Sequence, residues 1–252
     1  MQYKYEKVSS DYSDLASGRV FYSSPGYPAF PVRLASEIFQ RCLANRAAIY
    51  KSETPCTLYD PCCGAAYHLS VLAYLHGRHI REIIASDIDE KAVALSKRNL
   101  GLLSVAGVDQ RIDEITKMLE QYHKDSHKEA LTSARILKNK LIDLIQRHSL
   151  ATRVFQASAL DGQTVHNHIN AKSVDILFTD VPYGGHSQWH GHDSNEASNP
   201  LWSMLDALFG ILSSSSILAI VSNKQQKTAH ERYRRVEQFQ IGKRRVVILR
   251  PI

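Results

Sequence analysis

The chain has 252 residues, of which 44% are hydrophobic and 22% are charged. This balance is ordinary for a globular protein and excludes collagen, coiled coils and wholesale disorder. Its 31 basic residues outnumber its 25 acidic ones, and the resulting net charge of +6 is compatible with a polyanionic partner.

Cysteine usage and hydropathy indicate the compartment. Cys42, Cys56, Cys62 and Cys63 do not follow the spacing of a disulfide framework, and residues 1–14 lack the apolar core of a secretory signal. The longest apolar runs are far shorter than the roughly 20 residues that a membrane span needs. We therefore expect a cytoplasmic protein with reduced thiols and no membrane association, and we favour a monomer.

Residues 1–55 are predicted to form an N-terminal segment and a helix. The proline- and glycine-rich run at 23–31 is incompatible with a helix. From Val32 to Leu43 the apolar residues recur at helical spacing, which predicts that a helix follows this loop.

Strand and helix patterns then alternate. Short apolar runs bounded by turn residues are typical of buried parallel strands. They predict strands at 56–59, 80–86, 153–157, 174–179 and 217–221, with helices at 65–76, 90–103 and 199–212. The alternation predicts a doubly wound α/β sheet.

Two further regions modify this pattern. Residues 104–151 contain two charge-rich amphipathic patterns, at 109–122 and 128–148, which predict a helical insertion within one domain spanning 1–252. It could serve as a substrate-binding appendage or only add bulk.

The runs at 233–241 and 243–249, split by Gly242, predict a hairpin whose last strand is buried on both faces. A sheet that ends in this way is similar to the Rossmann-like fold of S-adenosylmethionine-dependent methyltransferases, with seven mostly parallel strands and an antiparallel C-terminal hairpin.

The loop after the first strand resembles the first methyltransferase motif. Asp60 and Gly64 match its Asp-x-x-x-Gly pattern, in which the acidic residue lies near the methionine amino group of the cofactor and the loop backbone lines its carboxylate. The dinucleotide fingerprint GxGxxG is absent. Cys62 and Cys63 lie in this loop and are predicted, with Asp60 and Gly64, to bind the cofactor. Their thiols are interpreted as structural, because neighbouring side chains of one loop rarely build a metal site. We expect no metal.

Polar residues also follow the second and third strands. Asp87 lies 23 residues after Gly64, close to the spacing at which a carboxylate binds the ribose of an adenosine cofactor. Asp89 is predicted to cap the next helix. Ser158 occupies the position at which many methyltransferases place an aspartate against adenine, and Asp161 is interpreted as another helix cap.

The sequence after the fourth strand is the most specific signal. Asp180-Val181-Pro182-Tyr183 resembles the (Asp/Asn)-Pro-Pro-Tyr tetrad of methyltransferases that modify exocyclic amines of bases. Asp180 and the Val181 or Pro182 carbonyl can accept the two N–H hydrogens of such an amine, and Tyr183 can stack on the extruded base. We interpret Asp180, Pro182 and Tyr183 as catalytic, with Asp180 also close to the cofactor. The alternative is a strand-end turn with a buried tyrosine.

A histidine-rich segment follows the tetrad. His186, His190, His192 and Asp193 could bind a metal, but a loop over the acceptor base is favoured, with Trp189 as a stacking platform for RNA.

The C-terminal region is basic, with nine basic residues and two acidic ones after Ser222. Arg234, Arg235, Lys243 and Arg244 are predicted to contact RNA phosphate. The alternative is a solvated edge strand protected by its charges.

Several segments resemble the AviRa family of rRNA methyltransferases. They are SSPGYPAFPVRLASEIFQR (23–41), LYDPCCGAAY (58–67), IIASDIDEKA (83–92) and TDVPYG (179–184), with the insertion and the closing KRRVVILR in addition. The resemblance runs from about residue 18 to the C-terminus. It implies S-adenosylmethionine-dependent methylation of a guanine base in large-subunit (23S) ribosomal RNA, free or within the subunit, with orthosomycin (avilamycin) resistance as a consequence to test. Ala66 in place of glycine, and His68 in place of an apolar residue, depart from the expected pattern.

Two other functions stay open at this point. The tetrad also suits a DNA or RNA adenine-N6 methyltransferase. Ala66 gives support to a non-catalytic RNA-binding protein of the same fold. A small-molecule methyltransferase is weaker, because it would leave the basic C-terminal region without a role.

Overall fold

The computed structural model describes residues 3–182 and 199–252. Its strands are β1 Cys56–Asp60, β2 Ile80–Asp87, β3 Ala151–Gln156, β4 Val174–Asp180, β5 Leu212–Ser222, β6 Tyr233–Ile241 and β7 Arg244–Pro251. They form one sheet in the order β3-β2-β1-β4-β5-β7-β6. Strands β1 to β5 pair in parallel, whereas β7 pairs antiparallel with both β5 and β6. The predicted Rossmann-like sheet with an antiparallel C-terminal hairpin is confirmed.

The helices follow the sequence patterns closely. They are α1 Val32–Tyr50, α2 Tyr67–His76, α3 Glu90–Gly101, α4 Val105–Tyr122, α5 Asp125–Ile145, α6 Gly162–His168 and α7 Pro200–Leu208. Asp89 and Asp161 cap α3 and α6 as predicted, since their side chains accept hydrogen bonds from the backbone N–H groups of Lys91 and Thr164. Within the described ranges, no helix is both long enough and apolar enough to cross a membrane.

The core lies on both faces of the sheet. All five residues of β1 and the first six of β4 are buried. One face packs against α1 and α2 around Phe39, Leu69 and Phe178, and the other against α6 and α7 around Tyr59 and Met204. Residues 246–249 of β7 are also all buried, as their unbroken apolar pattern predicts. In β4 only the last residue, Asp180, is partly exposed, at the carboxyl end of the strand.

Helices α4 and α5 share a separate apolar cluster with the N-terminal segment. Phe21 of that segment packs there with Val108 of α4 and Leu137 of α5. The Arg111 guanidinium adds a polar link, since its Nε donates to the Val20 carbonyl at 2.8 Å. Both predicted helices of region 104–151 are therefore present. Their description as an insertion within a single domain stays a prediction.

Candidate active site at the carboxyl ends of the strands

A cavity of about 220 Å³ lies at the carboxyl ends of β1, β2 and β4. Ligands of open α/β sheets bind at this edge, outside the ends of the strands. The loop that follows β1 forms one wall, and part of segment 26–30 covers the cavity from the N-terminal side. The cavity brings together seven of the residues that the sequence analysis proposed for catalysis or cofactor binding: Cys62, Cys63, Gly64, Asp87, Ser158, Asp180 and Pro182.

Hydrogen bonds to neighbouring strands fix the loop after β1. The Cys62 N–H donates to Oδ1 of Asp60 at 3.0 Å, and the Gly64 N–H donates to Oδ2 of Asp87 at 2.8 Å. The Cys63 N–H donates to a backbone carbonyl of β2 at 2.9 Å. These three N–H groups are used within the protein. The loop therefore contributes shape to the cavity, and at these positions it offers no free donor to an anionic ligand.

Ala66, where the usual motif has a glycine, has a left-handed backbone conformation. It has φ 49° and ψ 27°, in the left-handed region that normally favours glycine. Its N–H donates to the Cys63 carbonyl at 2.7 Å, which closes the turn into α2. A non-glycine residue pays about 1–2 kcal/mol for this conformation. Ala66 therefore adopts the backbone conformation that a glycine would favour at this position.

Asp60 lies behind the cavity wall. Its side chain is fully buried, and its Oδ2 lies 3.3 Å from Nε2 of His68. The His68 ring packs between Phe30 and Phe178, with centroid distances of 5.7 and 4.9 Å. Burial raises the pKa of Asp60 to about 8 and lowers the pKa of His68 to about 4, so both groups are mainly uncharged at pH 7. Asp60 is therefore not among the residues that line the cavity; its Oδ1 holds the loop, and its Oδ2 faces His68 without a hydrogen bond in the described part of the chain. Its predicted contact with the cofactor stays a prediction.

Asp87 lines the cavity, and its carboxylate has hydrogen-bond acceptor capacity that the described residues do not use. Its Oδ1 accepts from the Asp89 N–H at 3.0 Å, and its Oδ2 accepts from Gly64. A carboxylate has about four acceptor sites, and the backbone N–H groups of Gly64, Asp89 and Ile88 engage up to three of them, so at least one remains for a ligand. Burial raises the pKa of Asp87. Beside it, the Tyr27 hydroxyl of the covering segment donates to Asp89.

Asp180 ends β4 at the opposite side of the cavity. Its Oδ1 is buried and has no hydrogen-bond partner in the described part of the chain. Burial raises the pKa of Asp180 to about 7, although the nearby Arg244 acts in the opposite direction. The Pro182 carbonyl accepts from Nε2 of Gln226 at 2.8 Å, so it is already engaged. Tyr183, together with the histidine-rich segment and Trp189, lies outside the described residues.

The four basic residues predicted to contact phosphate lie in two places. Lys243 lies in the β6–β7 turn and Arg244 begins β7, and the strand register places both at the same edge of the sheet as Asp180. Arg234 and Arg235 are exposed near the start of β6, where they pair with the last residues of β7 at the other end of the strands. Only the first pair is close to the cavity.

The model of the family described as rRNA methyltransferase AviRa matches residues 1–244. The chain belongs to the AviRa rRNA methyltransferase family. A curated AviRa relative, the 23S rRNA (guanine(2535)-N(1))-methyltransferase of Streptomyces viridochromogenes, is 37% identical over 248 residues, covering 98% of this chain and 95% of the relative.

Solved structures agree with the AviRa assignment. An rRNA methyltransferase aviRa structure from Streptomyces viridochromogenes has a TM-score of 0.87 at 36% identity, covering 99% of this chain and 96% of the other. TrmN from Thermus thermophilus has a TM-score of 0.50 at 13% identity, covering 88% of this chain and 49% of its own. The second likeness shows a shared fold and nothing more.

The AviRa-type cavity also contains residues that were not predicted as site residues. Tyr27 and Phe30 reach it from the covering segment, and His68 reaches it from α2. The sequence offered two weak signals, the Pro-Gly run itself and the unusual histidine. Neither indicates proximity to the strand ends, because that depends on how the segment before α1 crosses the sheet.

Proposed function

We propose that this chain is an S-adenosylmethionine-dependent methyltransferase that methylates N1 of a guanine in 23S ribosomal RNA. The observation that carries this proposal is the charge of the cavity. Its lining includes the carboxyl groups of Asp87, Asp89 and Asp180 and, among the described residues, no lysine or arginine. Such a cavity suits a positively charged small molecule. The acceptor is extended to this chain from the name of the 37% identical relative.

The residues present fit the cofactor. S-adenosylmethionine carries a sulfonium and an ammonium group against one carboxylate, so its net charge complements the acidic lining. The remaining acceptor capacity of Asp87 suits the ribose hydroxyls, Ser158 lies where the adenine is expected, and Cys62, Cys63 and Gly64 shape the wall. When bound, the sulfonium supplies an electrophilic methyl group. Asp60 holds the loop through the Cys62 N–H, and its predicted contact with the cofactor is part of the proposal.

Asp180 is assigned as the general base. N1 of guanine carries a hydrogen, and its lone pair becomes available for attack only when that proton leaves. A base is most effective when its pKa lies near the working pH, and burial brings the pKa of Asp180 to about 7. One acceptor is sufficient for one departing proton. This fits a Pro182 carbonyl that is already bonded to Gln226, with Pro182 shaping the site and Tyr183 stacking on the base.

The proposed substrate is 23S rRNA, and the proposal includes the residues that contact it and the effect of its methylation on resistance. Lys243, Arg234 and Arg235 contact phosphate, and Trp189 stacks on an RNA base. The enzyme acts in the cytoplasm, on free rRNA or on the assembled subunit, and the modification gives orthosomycin resistance. Expression in a susceptible host, with avilamycin susceptibility compared between the active protein and an Asp180→Asn variant, tests the last point.

The decisive experiment is transfer of a tritiated methyl group from S-adenosylmethionine to large-subunit rRNA, offered free and as the intact subunit. DNA serves as the control acceptor, and the product is digested for mass spectrometry of nucleosides. We expect 1-methylguanosine. N2-methylguanosine would overturn the assigned ring position, and N6-methyladenosine would favour the adenine alternative. If calorimetry found no binding of S-adenosylmethionine even at millimolar concentration, the enzyme assignment itself would fall.

A further inference from the structure

Arg244 and Asp180 lie close together but make no direct hydrogen bond. Nε of Arg244 lies 4.0 Å from Oδ2 of Asp180, beyond hydrogen-bond distance, and the two side chains are 30% and 25% exposed. The Arg244 guanidinium lies over the Phe30 ring, 5.3 Å from its centroid. Phe30 and Asp180 both line the cavity. The first residue of β7 therefore presents its charge at the cavity rim.

Both partners keep unused hydrogen-bonding atoms. Nε of Arg244 and Oδ1 of Asp180 are buried, and neither has a hydrogen-bond partner within residues 3–182 and 199–252. A buried polar atom without a partner costs about 1–3 kcal/mol, and native proteins keep few of them outside functional sites. A guanidinium donor thus lies beside a carboxyl acceptor, and within the described residues the hydrogen-bonding capacity of these two atoms is unused.

Guanine has the complementary pair of atoms on its Watson–Crick edge. Its O6 acceptor lies beside the N1–H donor, whereas adenine presents an amino donor beside a bare N1 acceptor. We propose that Arg244 donates to guanine O6 while Asp180 accepts from N1–H, so that the two residues together select guanine. This inference rests on the proposed function and deepens it. It also replaces the phosphate contact that the sequence predicted for Arg244.

The same pair assists the reaction. The N1–H proton passes to the Asp180 carboxylate, and the electron pair left on the ring delocalises onto O6. N1 then forms its bond to the methyl carbon, while the broken methyl–sulfur bond leaves its electron pair on sulfur. Negative charge grows on O6 during proton loss, and Arg244 is placed to stabilise it. Removal of one such donor from an enzyme typically lowers the rate about 100- to 1000-fold.

The test compares full-length Arg244→Gln and Arg244→Lys with wild type, and uses Arg250→Gln as the matched control. Arg250 lies on the same strand but pairs with Arg234, at the other end from Asp180. Single-turnover methylation of large-subunit rRNA at saturating RNA and S-adenosylmethionine should fall about 100-fold or more in Arg244→Gln. It should fall less in Arg244→Lys, which keeps the charge without the planar fork. The control should retain the wild-type rate, and thermal melting should show that all the variants are folded.

Two further measurements separate base reading from a phosphate contact. The salt dependence of RNA binding should keep its slope in Arg244→Gln, whereas loss of a phosphate contact would reduce that slope by about one. The acidic limb of the rate profile should move to higher pH, because Arg244 lowers the pKa of Asp180. Among the described residues, Asp60 and Cys62 are further ionisable groups that interact with Asp180, and the variants leave both unchanged. A normal single-turnover rate with a reduced salt slope would overturn the inference. A wild-type product other than 1-methylguanosine would overturn the proposed function instead.

Discussion

Replacement of Asp180 by asparagine tests the assigned general base most directly. Asparagine keeps the shape of the side chain but cannot take up the N1 proton. General-base catalysis contributes about 100- to 10,000-fold, and we expect a loss of single-turnover rate in that range. The pKa of Asp180 is about 7. About a tenth of the side chains are therefore ionised at pH 6 and about nine-tenths at pH 8, so the wild-type rate should rise about tenfold across this interval. The variant should not show this rise.

The assay is single-turnover transfer of a tritiated methyl group to large-subunit rRNA at several pH values, with both substrates saturating. Calorimetry of S-adenosylmethionine binding is the control, and the affinity of the variant should stay within a few-fold of wild type. Near-normal turnover of Asp180→Asn, or an unchanged acidic limb in the variant, would refute the assignment.

Stability provides an independent check on the same variant. Because burial raises the pKa of Asp180, the folded state binds more protons than the unfolded state between about pH 4 and pH 7. The free energy of unfolding contributed by this group therefore falls as pH rises through that window. Asparagine has no such contribution, so at pH 8 the variant should melt at or above the wild-type temperature. Loss of activity with retained stability would locate the defect in the chemistry.

Two further predictions concern the fold and the RNA surface. Asp175→Ala should destabilise the protein by about 3–5 kcal/mol in urea denaturation, because the Arg46 guanidinium, only 4% exposed and 2.9 Å from Asp175, loses its carboxylate and keeps, among the described residues, only its hydrogen bonds to Thr54. A loss below about 1 kcal/mol would show that Arg46 does not depend on this ion pair. If Arg234 and Arg235 both contact phosphate, the double variant Arg234→Ala, Arg235→Ala should reduce the salt slope of RNA binding by about two. An unchanged slope would show that both are exposed side chains without a role in RNA binding.

Most of the fold followed from local patterns, and the site followed only in part. Short apolar runs and helical spacing are properties of contiguous residues, so strand and helix order could be predicted from them. Asp60 matched a sequence motif, but the motif could not show that its carboxylate turns inward to His68. Arg244 belonged to a basic cluster, and only the β4–β5 and β5–β7 registers place it beside Asp180. Phe30 covers the cavity because of a long-range crossing that no local pattern encodes.

The order of the strands has a consequence for when the cavity rim can form. Because β7 lies between β5 and β6, β6 has no neighbour in the sheet until β7 has been synthesised. Phe30 leaves the ribosome among the first residues of the site and Arg244 among the last, yet the finished site has them in contact. A nascent chain that lacks β7 has the segment that covers the cavity but not the Arg244 side chain at the cavity rim. The arginine at the rim can therefore meet the covering segment only after β7 has joined the sheet.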